Sequence, residues 1–209
     1  GIAWTTHMRF EKSLLEDQVW QDAKASGCKY LHFGYESGNE RVLKLMDKAT
    51  TTEIMTKHLK YTAEAGIWNH CMGFFGFPGE TREEAWSSVE FLEQNKDYVH
   101  SLGFGTFDLG RHNPVAKHPE KFGVTAYKNP EWDLALDYYF TVKQGLSIEE
   151  AERVFEEFER NHNPGWDLRL FIREYIFLYI AQFGLQKLPD LQFRSARVAT
   201  VPPSLAGKM

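Results

Sequence analysis

The sequence predicts an α/β chain built on a parallel sheet, either an open doubly wound sheet or part of a barrel. Three observations predict it. An amphipathic helix, a glycine and a short apolar strand follow one another twice between Ser13 and Cys71. Hydroxyl and carboxylate residues three apart mark helix starts at Thr50/Glu53, Thr81/Glu84 and Ser147/Glu150. The ends of the expected strands are polar or glycine, whereas their bodies are apolar.

Residues 2–6 form the first expected strand. The first helix stops at Ala25-Ser26-Gly27, with Gly27 at C′, and leads into the strand Tyr30-Leu31-His32-Phe33-Gly34. The helix opened by Thr50 stops at Ala63-Glu64-Ala65-Gly66 and leads into a strand over 68–75. That strand runs into Gly76-Phe77-Pro78-Gly79-Glu80-Thr81, a ligand-sized turn. Its two glycines let backbone N–H groups approach a bound molecule, Pro78 fixes the turn, and Glu80 sets an acceptor at its mouth. After Thr81, Ala85, Val89 and Leu92 recur at helical spacing beside Trp86, and the next strand is expected over 99–109.

The chain changes character after Gly110. Residues 111–130, rich in Pro, His, Lys and Asn, read as an irregular crossing, and the period-two pattern over 132–142 reads as a strand. Gly145-Leu146-Ser147 turns into a helix that places Ile148, Ala151, Val154, Phe155 and Phe158 on one face. A further apolar helix is expected over 166–183 as a core or subunit-packing element, and 185–209 reads as a loose tail. Residues 1–110 and 111–209 are therefore expected to be two units, a parallel core and a mainly helical extension with one strand and two helices.

Composition narrows the function classes. With 43% hydrophobic residues, the 209-residue chain can bury a core. A net charge of -5 and a pI near 5.9 give no basic footprint for nucleic acid or an anionic membrane. Cys28 and Cys71, the only cysteines, stand in no metal-binding spacing and fit a reducing cytoplasm. The first ten residues carry no signal pattern, and no run approaches the ~20 apolar residues of a bilayer span. A soluble, cytoplasmic protein is expected. His112 and His118 form no His-x-His or His-Glu-x-x-His metal spacing, and no Gly-x-Ser-x-Gly elbow or P-loop points to a hydrolase or nucleotide transferase.

In either parallel architecture, ligands sit beyond the C-terminal ends of the strands. The residues expected there are Thr6, His7 and Arg9; Glu36 and Ser37; 76–80; and Asp108, Arg111 and His112.

The segment Gly34-Tyr35-Glu36-Ser37-Gly38, followed by Val42-Leu43-Lys44-Leu45-Met46-Asp47-Lys48, the Thr-rich cap, Ala65-Gly66-Ile67 and Gly76-Phe77-Pro78-Gly79-Glu80-Thr81, resembles the radical S-adenosylmethionine (radical SAM) enzyme superfamily in order and spacing. The resemblance covers residues 4–109 and is nearest to the branch whose members often carry a cobalamin-binding domain. It implies a (β/α)6 partial TIM barrel, of which this chain holds about strands three to six. It also implies a [4Fe–4S] cluster and reductive cleavage of S-adenosylmethionine to a 5′-deoxyadenosyl radical.

One departure is large. The family's Cys-x-x-x-Cys-x-x-Cys cluster loop is missing, and two cysteines cannot supply three thiolates. The chain is therefore expected to be a C-terminal piece of a longer oxidoreductase, inactive alone and holding neither S-adenosylmethionine, the cluster nor cobalamin firmly by itself, whose first partner is the N-terminal half of the same protein. The alternative is a cluster-free relative acting as a binding or regulatory module, associating through an exposed sheet edge.

The resemblance also implies residue roles. Glu36 and Ser37 are expected to meet ribose hydroxyls, and Lys48 the S-adenosylmethionine carboxylate, where many relatives carry Arg. Asn69 and His70 are expected to face alternate sides, one of them into the barrel. Gly76, Gly79 and Glu80 are expected against the adenine. Arg9, Asp108 and Arg111 are expected to face the substrate, a small molecule or peptide, and the arginines suit an acidic one.

Overall fold

The computed structural model describes residues 1–127, 136–161 and 173–185. Four strands, β1 (Trp4–Met8), β2 (Cys28–Glu36), β3 (Trp68–Phe75) and β4 (Ser101–Thr106), form one sheet in the order β1-β2-β3-β4. Every neighbouring pair is parallel. The connections carry α1 (Asp17–Ala25), α2 (Glu40–Leu45), α3 (Thr52–Glu64) and α4 (Arg82–Gln94).

Strand alternation decides what each face meets. Leu31, Phe33, Tyr35 and Cys71 pack with Trp20 of α1, Met55 and Leu59 of α3, and Phe91 and Leu92 of α4. From the same two strands, Tyr30 and Trp68 pack with Ile176 and Ile180 of α7 (Arg173–Phe183). Parallel strands buried in this way read as near-continuous apolar runs, which is how β2 and β3 were legible.

The first and last strands of this sheet differ from the sequence reading. The first strand lies two residues later than 2–6, because its pairing with β2 begins at Trp4 opposite Cys28 and leaves Ile2 exposed. The strand expected over 99–109 is divided: β4 stops at Thr106, the Phe107 N–H closes on the Phe75 carbonyl at 2.8 Å, and the chain leaves for a second sheet.

That second sheet has the order β5-β7-β6, with β5 (Leu109–Gly110), β6 (Val124–Tyr127) and β7 (Asp137–Val142). Its pairings are antiparallel. Residues read as an irregular crossing therefore hold α5 (Pro114–Lys117), a 3-10 turn (Pro119–Phe122) and β6. Of the strand expected over 132–142, 132–135 lie outside the described residues, as do 166–172 of the last helix and 186–209 of the tail. α6 (Ile148–Asn161) begins at the expected box, where the Ser147 N–H donates to Glu150 Oε2 at 2.8 Å and the Glu150 N–H to Ser147 Oγ at 3.2 Å.

Thr81 with Glu84 also forms the expected capping box. Thr50 with Glu53 does not. Thr51 is the N-cap of α3, its hydroxyl accepting from the Ile54 N–H, while Glu53 turns outward to Lys57 at 2.7 Å. Glu40 of α2 fixes the shift by accepting from both the N–H and the hydroxyl of Thr52, at 2.8 and 2.6 Å. Among the described residues, no helix is long and apolar enough to cross a membrane.

Candidate functional site

Because β1 to β4 are parallel, their C-terminal ends share one edge of the sheet, bringing Arg9, Glu36, Gly76 and Phe107 to a common rim. Glu36 ends β2 with φ 62, a left-handed conformation that costs a non-glycine residue roughly 1 kcal/mol. Its carboxylate accepts from Lys48 Nζ at 2.9 Å, and the two side chains keep 21% and 30% of their surface exposed. Lys48 stands just past α2, where its N–H closes on the Leu43 carbonyl. Asp47 beside it also has a positive φ, 55. A carboxylate and an ammonium are thus held together within reach of water, on a backbone that spends energy to put them there.

The 76–80 turn lies against the same short helix. Leu45 of α2 lies where a side chain added at Gly79 would touch it, 3.6 Å away. Arg41 of α2 donates to the Gly79 carbonyl at 2.6 Å and pairs with Glu84 at the start of α4. Phe77 packs with Val42, Phe107 and Phe140, tying the turn to the second sheet. Gly76 and Gly79 take φ 85 and 90, so the turn needs the residues that the sequence supplies.

Glu80 is fully buried rather than at the mouth of the turn. Its Oε2 accepts the Gly76 N–H at 2.6 Å, and burial pushes its carboxyl up to about 7 against the pull of that N–H. It braces the turn from beneath. Ser37 is likewise turned inward: its hydroxyl bonds with that of Ser88 at 3.0 Å and accepts the Asn39 N–H at 3.1 Å. The Ser37 hydroxyl is thus committed to the fold and not presented to a ribose, and the buried Glu80 carboxylate is not presented to an adenine.

Asn69 and His70 do face opposite sides of β3, but near its N-terminal end, away from the rim. Asn69 is buried towards α3, where its amide donates to the Leu59 and Tyr98 carbonyls at 2.8 and 2.9 Å. It fastens the strand to its flanking elements. His70 lies on the other face with Nδ1 2.8 Å from Ser101 Oγ, and its ring lies 5.5 Å from that of His32. His32 in turn lies 4.4 Å from His7, so three adjacent strands carry an imidazole row in register. Sequence reading missed this row because neighbouring strands are far apart in the chain.

Arg9 is exposed just beyond β1. Asp108 and Arg111 flank β5; the Arg111 N–H donates to the Leu136 carbonyl at 2.9 Å. Desolvation, and next the neighbouring Asp137, hold the Asp108 carboxyl above its usual range. Thiol chemistry is suppressed throughout: Cys28 and Cys71 are free and buried, burial pushing Cys28 up to about 11 and Cys71 further. Among the described residues, no group of three His, Cys, Asp or Glu side chains is arranged to hold a metal ion.

An uncharacterized methyltransferase of Pyrococcus horikoshii is 32% identical over 95 residues, 44% of this chain and 20% of that protein. Cytidylyl-2-hydroxyethylphosphonate methyltransferase of Streptomyces wedmorensis is 27% identical over 179 residues, 80% of this chain and 32% of that protein. The chain thus spans between a fifth and a third of the length of these curated relatives. Among solved structures, coproporphyrinogen III oxidase of Escherichia coli, a radical SAM enzyme, superposes with a TM-score of 0.56 at 15% identity over 78% of this chain and 32% of its own. The cobalamin-dependent S-adenosylmethionine radical enzyme OxsB, with aqua-cobalamin bound, superposes at 0.54 and 12% identity over 94% of this chain and 37% of its own. The parallel sheet and its helices have the partial-barrel fold of these proteins. Residues 4–92, which hold Glu36, Lys48 and the glycine turn of the rim, match the Radical SAM superfamily.

Proposed function

We propose that this rim binds S-adenosylmethionine and that the chain is the C-terminal part of a longer radical SAM oxidoreductase. The observation that carries the reading is the partly exposed Glu36–Lys48 pair, with strained backbone at Glu36 and at Asp47 beside Lys48, joined through α2 to the glycine turn. Glu36 accepts from ribose hydroxyls, Lys48 meets the methionyl carboxylate, and the turn packs its backbone against the adenine. Binding exchanges the internal ion pair for contacts with the ligand, so the pair holds both groups in place beforehand.

The residues of this chain do not fit a [4Fe–4S] cluster. Two buried cysteines cannot provide three thiolates, and the burial that raises both thiols opposes ionisation. The reductive cleavage of S-adenosylmethionine that the superfamily implies is therefore assigned to the longer protein, and none of its steps to these residues. The fraction of the relatives' length that the chain spans supports this. The cobalamin-dependent branch is favoured by the motif set together with two methyltransferase relatives and the OxsB fold. Residues 1–110 form the binding core in this reading. Residues 111–209 select a small-molecule substrate, with Arg9, Asp108 and Arg111 at its edge. Buried free thiols suit the cytoplasm.

Equilibrium dialysis of this chain with S-adenosylmethionine tests the reading. Lys48→Met and Glu36→Gln are each expected to weaken binding by about ten-fold or more, the loss of one charged hydrogen bond. Native affinity in both variants, or no binding by the native chain, overturns it.

A further inference from the structure

We infer that Gly145 and Leu146, at the entrance to α6, are positioning residues for the 76–80 turn, coupling it to the antiparallel sheet. The inference rests on the proposal above in taking that turn as part of the S-adenosylmethionine site.

Glu80 is held at three of its atoms. Its N–H donates to the Phe77 carbonyl at 2.8 Å and its carboxylate accepts from Gly76, both within the turn. Its carbonyl accepts from the Leu146 N–H at 2.8 Å, across 66 residues of chain. The approach is as close as backbone allows. Gly145 has φ 88, and a Cβ there would lie 2.6 Å from the Glu80 carbonyl oxygen, 2.8 Å from the Gly79 carbonyl carbon and 2.9 Å from the Glu80 nitrogen. At the other end of the turn, a Cβ on Gly76 would lie 2.5 Å from that of Ala151 in α6. The turn and the start of α6 have thus each given up a side chain so that the two can touch.

The corner is also the far end of β7. That strand starts at Asp137, paired with Gly110 beside Asp108 at the rim, and ends at Val142. The Lys143 N–H then donates to the Gly123 carbonyl at 2.8 Å, and two residues later the chain reaches the turn. One strand therefore joins the side of the rim assigned to substrate to the side assigned to cofactor. The Gly79 and Glu80 peptides are thereby tied to the end of β7.

Gly145→Ala tests the grip, with Gly123→Ala as its control. Gly123 also has a positive φ, 63, but its nearest neighbour to an added Cβ is Lys143 Cβ at 3.6 Å, so it carries similar backbone strain without touching the turn. Amide hydrogen exchange at Gly76, Glu80 and Leu146 is expected to speed up about ten-fold in Gly145→Ala and to stay native in Gly123→Ala. S-adenosylmethionine affinity should fall by about ten-fold in the first and hold in the second. Ala151→Gly, which opens the contact over Gly76 without adding bulk, should speed exchange at Gly76 if Gly145→Ala fails to fold. Native exchange at the turn in every variant that folds, or equal losses in Gly145→Ala and Gly123→Ala, overturns the inference. If the native chain takes up no S-adenosylmethionine, the proposed function fails and the exchange arm alone decides the grip.

Discussion

Glu80 is a carboxylate that the fold keeps from water, and its proton is correspondingly hard to remove. Its folded value of about 7 lies above the ordinary 4.5, so the folded state holds the proton more tightly than the unfolded chain. The stabilisation from this group is complete below about pH 4.5 and lost as pH rises through about 7. Glu80→Gln mimics the protonated form, and its urea midpoint should lose this part of the decline between pH 5 and 8; an unchanged decline would show that the carboxyl ionises freely. Glu36, Lys48 and the glycine turn could be singled out from the sequence because residue type and motif are local, and the fold brings them to one rim. Sequence reading misplaced Ser37 and Asn69 because their partners, Ser88, Leu59 and Tyr98, come from other parts of the chain. A polar residue in a sequence does not reveal whether its hydrogen bonds will be spent inside.

Among elements, those whose periodicity is self-contained were legible. α4 and α6 start at their expected boxes, and β2 and β3 lie on their apolar runs. The start of α3 moved by one residue because Glu40 binds Thr52, a tertiary contact outside the capping pattern. Thr51→Ala should therefore cost about 1 kcal/mol in chemical unfolding, as should Thr81→Ala. Thr50→Ala should stay within about 0.5 kcal/mol of native. A Thr50→Ala loss matching that of Thr51→Ala would restore the sequence assignment. β5 and β6 escaped notice for a different reason. With two and four residues they have too little pattern to declare themselves, and their order comes from β7 between them.

At the scale of the whole molecule, three apolar clusters surround the rim: the helices on the parallel sheet, the second sheet with Phe77, and α6 with β3 and α4. The first was readable as a sheet covered by helices. The joining of the other two through the turn was not, since it depends on how the second half of the chain folds back over the first. Both cysteines lie within the first cluster, which fixes their reactivity. Iodoacetamide at pH 8 should leave Cys28 and Cys71 unmodified in the native protein and alkylate both in urea; rapid native labelling of either would mean that this part of the core opens readily.

The sheet order β1-β2-β3-β4 is also the order of synthesis. Each new strand meets an edge made one connection earlier, so the sheet can be laid down as the chain emerges from the ribosome. The opposite face follows another timetable. Tyr30 and Trp68 wait for Ile176 and Ile180, made more than a hundred residues later. A nascent chain therefore carries a finished sheet with one aromatic patch still bare, and α7 is the part of the described fold whose arrival ends that exposure.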